Sequence, residues 1–143
     1  MRNNHKLVLI HAVRAIQYRF QKVTNGSAEN FGDFTISPDT RTPSQIIHHM
    51  YDLTLKTKTM ILEGHFKVPQ PILLNFPQEC ERLVTGLMEL QTVMNTCYID
   101  IDTCEKLMQG PILDIATHIG QIAMLNGLNG HKIPRESYYD AEI

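Results

Sequence analysis

Asp114 and His118, an aspartate and a histidine four residues apart, are the side chains whose spacing most directly suggests chemistry in this 143-residue sequence. They interrupt an almost uncharged segment that runs from Pro111 to Leu128. At about 100° per residue, a helix brings the two side chains within roughly 40° of each other. Apolar residues surround most of this helix, so we expect it to be buried. A buried carboxylate is costly unless it is paired, protonated or bound to a metal, and Asp114 therefore needs a partner.

A second histidine-rich segment supplies candidate partners. His48 and Asp52 repeat the four-residue spacing, but they share a helix sector with polar residues, which favours a solvent-exposed pair worth a few tenths of a kcal/mol. His49 lies closer to an apolar edge of the same helix and is slightly favoured to face Asp114 and His118. Both histidines lie near the margins of the apolar arc, so periodicity leaves the choice between them open.

Two imidazoles and one carboxylate form a chemically meaningful set. With coordination positions left open, this set is typical of catalytic zinc sites and of non-haem Fe(II) sites, and it also suits Ni(II) or Mn(II). The alternative, which composition and spacing alone favour, is a core hydrogen-bond network without an ion. In that network Asp114 accepts from His118 or from a neighbouring helix.

Four helices are predicted to position these residues in an all-α four-helix bundle with long connections. Thr42 is a plausible cap before Pro43, and Gly110-Pro111 is predicted to begin the last helix. A polar loop over 25–42 means that the second helix need not lie beside the first. We expect the tail over 131–143 to lie extended over the bundle, where Glu136, Tyr138 and Tyr139 pack or cover a pocket. The predicted bounds are about 6–23, 43–64, 77 or 79 to 94 or 97, and 110–129, with a short helical turn between 98 and 110.

The bulk composition indicates an ordinary soluble domain covering residues 1–143. The net charge of -2 and the 20% of charged residues show no basic face for nucleic acid. No segment has the roughly 18 uncharged apolar residues that a membrane span needs. Cys80, Cys97 and Cys104 form no CxxC pair, which fits free thiols in a reducing compartment, so we expect a cytoplasmic protein.

Wide apolar arcs on the second and last helices suggest a homodimer.

Two segments resemble the DinB-like family, also called DinB/YfiT-like. The stretch GPILDIATHIGQIAMLNGLNGHKIPRESYYDAEI is similar to the family's last helix and tail, with its His, Gly-Gln and apolar signature. The stretch TPSQIIHHMYDL is similar to the second helix, where a histidine followed by two residues and an acidic group provides the first ligand. The pattern fits His49 with Asp52 better than His48, and the resemblance covers essentially the whole chain.

The resemblance implies a bundle that binds a divalent metal through three side chains of the second and last helices. Those positions are His49, Asp114 and His118, with Asp52 and Gln121 as residues that orient the imidazoles. Most members have HxxxH where this chain has DxxxH. The carboxylate shifts the site toward harder oxygen coordination, so zinc, nickel, iron and manganese all stay open.

The implied activity is that of a metal-dependent enzyme acting on a small molecule. Some members of the family are thought to be transferases or isomerases that use a low-molecular-weight thiol, and a three-ligand metal also suits hydrolysis. The alternative is a non-catalytic dimeric helical bundle whose polar or metal site is structural. None of the cysteines has a histidine or lysine placed to activate it.

Overall fold

The computed structural model describes residues 4–143 and contains four long helical segments packed side by side. The first three are α1 (Asn4–Thr24), α2 (Pro43–Glu63) and α3 (Phe76–Thr96). The fourth consists of α4 (Ile101–Leu107), a π-helical turn (Met108–Ile112) and α5 (Leu113–Leu128). Short 3-10 turns occur at Phe31–Asp33 and Tyr138–Asp140. No strand occurs in this part of the chain, and the predicted all-helical bundle is confirmed.

The packing order differs from the chain order. α1 packs against α3 and α5, and α2 packs against the same two helices. The long loop over 25–42 makes this arrangement accessible, because it lets α2 cross the bundle instead of lying beside α1. The arrangement places α2 directly against α5, as a site shared by these two helices requires.

Local sequence signals explain where α2 and α3 begin and end. The Thr42 side chain accepts from the backbone N–H of Gln45, whose side chain accepts in turn from the Thr42 N–H. This capping box gives two backbone N–H donors at the start of the helix a partner. Pro43 at the first helical position has no N–H that would need one. Gly64 ends α2 in the left-handed region at φ 79°, where glycine carries no Cβ penalty. A second capping box begins α3 at Asn75.

The prediction that the last helix begins at Gly110-Pro111 is wrong. Helical structure begins earlier, where the Asp100 side chain accepts from the Thr103 N–H at 2.7 Å, and it continues through the π-helical turn into α5. Pro111 lies inside that turn. A proline has no N–H to donate and clashes with the preceding carbonyls of a regular α-helix, so a wider turn accommodates it without ending the helix.

One apolar core joins the helices and fixes the 25–42 loop to them. Phe31 is fully buried, and its ring meets that of Phe76 edge to face at 5.5 Å between centroids. Gly32 lies so close to α3 that an added Cβ would come within 2.5 Å of the Phe76 Cβ. The loop that follows is therefore anchored at its start. Within residues 4–143, no helix combines the length and apolarity required to cross a membrane.

Candidate functional site

The structure brings His49 of α2 and His118 of α5 together. Their ring centroids lie 5.0 Å apart with an interplanar angle of 81°, and both side chains are partly buried. The contact arises because α2 and α5 are packed neighbours. Two of the three residues predicted as metal ligands are thus adjacent in space, although 69 positions separate them in the chain.

Gln121 fixes the orientation of the His118 ring. The Nδ1 atom of His118 lies 2.8 Å from Oε1 of Gln121, one turn further along α5. An amide oxygen only accepts, so with this assignment Nδ1 carries the proton and Nε2 keeps its lone pair. An imidazole whose second nitrogen donates to an oxygen is the usual arrangement of a metal-bound histidine. The contact is the one expected of an orienting residue.

The environment of His49 favours its neutral form. Burial lowers the pKa of His49, and the positive charge of Arg41 and the neighbouring His118 lower it further. The Asp52 carboxylate acts in the opposite direction but does not reverse the shift. Metal ions bind the neutral imidazole, so a lowered pKa keeps His49 competent as a ligand toward mildly acidic pH.

Asp52 is buried, and the expectation that it lies on a solvated face is wrong. Only 5% of Asp52 is exposed, because α2 is covered on both sides by α3 and α5. Its Oδ2 accepts from the Lys56 ammonium at 2.6 Å, while Oδ1 has no hydrogen-bond partner among residues 4–143. Asp52 makes no hydrogen bond to His49 here, so the structure does not display the orienting contact predicted for it.

His48 points to α3, away from the imidazole pair. Its Nδ1 lies 3.4 Å from Oε2 of Glu79 and 3.3 Å from a guanidinium nitrogen of Arg82. The prediction of an exposed His48 paired with Asp52 is therefore wrong, because His48 is partly buried and belongs to an ion network with α3. Sequence reasoning missed this network. Its one visible signal, Glu79 and Arg82 three residues apart, resembles an ordinary surface pair.

Asp114 is exposed, which contradicts the buried carboxylate predicted from the sequence. α5 buries the side that carries Ile115 and Ile122 and leaves Asp114 at the edge of that side. The side chain of Asp114 has no hydrogen bond or ion pair with any other residue in 4–143. Over the same range, no group of three or more histidine, cysteine, aspartate or glutamate side chains is arranged to hold a metal ion. The structure therefore brings together the two predicted imidazoles, but the Asp114 carboxylate does not join them.

A groove with a volume of about 350 Å³ opens beside His118. It lies between α5, the first turns of α2 and the end of the 25–42 loop. Its apolar walls are formed by Ile36, Ile46, Met124 and Leu125. Its polar walls are formed by Asp39, Thr40, Arg41, His118 and Gln121. The volume is at the lower end of the range of roughly 300–1,000 Å³ typical of small-molecule pockets.

The tail packs on α1 and does not cover the imidazole pair. Glu136 accepts from the ammonium of Lys22 at 2.8 Å and from the hydroxyl of Tyr18. The ring of Tyr138 lies under the guanidinium of Arg19 at 4.0 Å, whereas Tyr139 is 97% exposed. The packing role expected of Glu136 and Tyr138 is confirmed.

The thiols of Cys80 and Cys104 lack the environment of a reactive nucleophile. Burial, followed by the nearby negative charge of Glu79, raises the pKa of Cys80 to about 12. Burial and Asp100 raise the pKa of Cys104. Because the thiolate is the nucleophilic form, these shifts make both residues inert at neutral pH. The chemistry of the site therefore rests on the imidazole pair and the groove.

No family model, curated protein or solved structure matches this chain significantly.

Proposed function

We propose that this protein is a divalent-metal-dependent enzyme acting on a small molecule, with His49, Asp114 and His118 as ligands. One observation carries the proposal: the imidazoles of α2 and α5 lie edge to face with 5.0 Å between their centroids, and the contact of Nδ1 with Gln121 leaves Nε2 of His118 without a hydrogen bond. The resemblance to the DinB-like family points to the same residues.

The donor set suits the metals that the sequence suggests. Two neutral imidazoles bind zinc, nickel, iron and manganese, and a carboxylate adds a hard oxygen ligand. Asp114 has no partner to give up within the described chain, so its carboxylate is free to serve as the third donor. It is also the member of the set that this structure does not bring against the two rings.

The chain's own residues have separable tasks at this site. Gln121 holds the His118 ring through Nδ1, burial disfavours the charged form of His49, and the groove beside His118 provides space for a substrate. When bound, the metal supplies a Lewis acid that lowers the pKa of a coordinated water or thiol. Transfer or isomerisation that uses a low-molecular-weight thiol falls within this proposal, as does hydrolysis.

Elemental analysis of protein purified without an affinity-metal step tests the proposal. We expect about one divalent ion per chain in the wild type and a loss of most of it in His49→Ala and His118→Ala. Asp114→Asn should weaken retention, and Gln121→Ala should weaken it less. His11→Ala is the matched control, because His11 is exposed on α1 in a different groove, and it should keep the full complement.

The contrary result is wild-type protein that stays metal-free after growth with excess metals and takes up no zinc in a titration. That outcome favours the alternative, a non-catalytic bundle that dimerises. α5 exposes an apolar stripe that such a dimer would cover, formed by Leu113, Met124 and Leu128 at 52, 65 and 57% exposure. A metal-free dimer whose molar mass does not change with chelators would decide for this alternative.

A further inference from the structure

We propose that the groove beside His118 binds a small ligand with an apolar body and a carboxylate, and that Arg41 is the residue that binds the carboxylate. The inference rests on the proposed function for the identity of the site and deepens it by naming the chemical class of the substrate. It is carried by an unpaired cation at the mouth of a mainly apolar groove.

Arg41 is the first part of the argument. It is exposed and lines the groove, and within residues 4–143 its guanidinium has neither a hydrogen bond nor an ion pair. Asp39 lines the same groove without pairing with it. A guanidinium presents a planar fork of donors that matches a carboxylate in a bidentate fashion. An arginine left unpaired beside a groove is therefore free to bind an anion.

The position of Arg41 is fixed by its neighbours in the chain. It immediately precedes Thr42, whose backbone and side chain are both held by the capping box with Gln45. It also lies before the N-terminus of α2, a helix of 21 residues, where the helix dipole favours negative charge. Arg41 and His118 line the same groove. An anion bound there lies next to the proposed metal ligands.

The remaining walls define the rest of the ligand. Ile36 and Ile46 close one side of the groove, and Met124 and Leu125 close the other. Burying an apolar body against these side chains removes apolar surface from water and so favours the complex. The volume of about 350 Å³ suits a ligand the size of a medium-chain acid. His118 and Gln121 line the same groove, so a ligand bound in it lies beside the proposed metal ligands.

Binding of three probes of equal length tests the inference: octanoate, octanamide and octylamine, titrated by calorimetry at low salt. We expect octanoate to bind about tenfold more tightly than octanamide, since hydrogen bonds to a charged partner are roughly twice as strong as neutral ones. Octylamine should bind most weakly. Arg41→Gln should remove the preference for octanoate, Arg41→Lys should keep part of it, and Asp39→Asn should strengthen octanoate binding by removing a like charge.

Arg14→Gln is the matched control, because it removes the same charge from an exposed arginine of a different groove. It should leave the preference unchanged. Equal affinities of the wild type for octanoate and octanamide would overturn the inference. An equal loss of octanoate affinity in Arg41→Gln and Arg14→Gln would also overturn it. Circular dichroism of each variant checks that the fold is retained.

Repeating the titrations in chelator-treated and in zinc-loaded protein separates this inference from the proposed function. An effect of Arg41→Gln in metal-free protein supports the anion site even where elemental analysis finds no metal. Octanoate binding that requires zinc and ignores Arg41→Gln shows instead that the carboxylate binds the metal directly. That result overturns the role of Arg41 while it supports the metal site.

Discussion

Glu79 is the residue whose replacement tests the packing of α2 against α3 most severely. It lies in the first turn of α3 and is fully buried. One carboxylate oxygen accepts from Arg82 at 2.6 Å, and the other accepts from the backbone N–H of Leu74 at 2.8 Å and lies 3.4 Å from His48. Glu79 therefore joins α2, α3 and the linker before α3 through one charged group.

We expect Glu79→Gln to lower the free energy of unfolding because it leaves the charge of Arg82 without a partner. The amide keeps the shape of the side chain and its oxygen can still accept from Leu74, but Arg82 loses its counter-charge. Removing one partner of a buried ion pair typically costs 3–5 kcal/mol. The Arg82 side chain is 18% exposed and partly solvated, so we expect about 2–4 kcal/mol. This is a large share of the roughly 5–15 kcal/mol that stabilises a typical domain.

Urea unfolding followed by circular dichroism at 222 nm measures this cost, since the chain has no tryptophan to report by fluorescence. Glu89→Gln is the control: Glu89 is 56% exposed and lies 3.4 Å from Lys58, so its loss should cost about 0.5 kcal/mol or less. The double variant Glu79→Gln/Arg82→Met should recover part of the stability, because it removes the stranded charge. A cost below about 1 kcal/mol, or a double variant less stable than the single one, would refute the reasoning.

Two further predictions concern the loop and the tail. Gly32→Ala should lower the free energy of unfolding by about 1–3 kcal/mol, because the added methyl meets the Phe76 Cβ at 2.5 Å. Gly127→Ala, a helical site with no atom within 4 Å, should stabilise by about 0.5–1 kcal/mol in the same urea assay, and equal effects would contradict the loop packing. The hydrogen bond from Lys22 lowers the pKa of Glu136 from 4.5, so this contact stabilises the tail above that pH and is lost as the pH falls through the lowered value. Heteronuclear NOE values of residues 136–139 should drop on acidification in the wild type and be low at every pH in Glu136→Gln; a tail that stays ordered in this variant would show that Glu136 does not anchor it.

The helices could be predicted where local chemistry determines them. Thr42, Pro43 and Gly64 carry start and stop signals that act within a few residues, and α2 has the predicted bounds. The π-helical turn around Pro111 could not be predicted, because the penalty of a proline depends on whether the flanking helices are held in line by the rest of the bundle.

The site could be predicted only to the extent that a helical wheel shows which residues share one side of a helix. The wheel correctly groups Asp114 with His118 on α5, but it does not show which part of the arc the neighbouring helices cover, and Asp114 is exposed. For the same reason it could not separate His48 from His49. Only the packing of α2 between α3 and α5 distinguishes the two histidines. It places His48 against Glu79 of α3 and His49 against His118 of α5.

The π-helical turn links the sequence of the α4–α5 segment to the geometry of the site. A π turn contains one more residue than an α turn, so it rotates everything beyond it by about 100° relative to an uninterrupted α-helix. His118 lies six residues after the end of this turn at Ile112. Without the extra residue, α4 packed as it is would direct the His118 position about a quarter-turn away from α2. Gly110 and Pro111, which sequence analysis interprets as a helix start, instead set the rotation that brings the two imidazoles together.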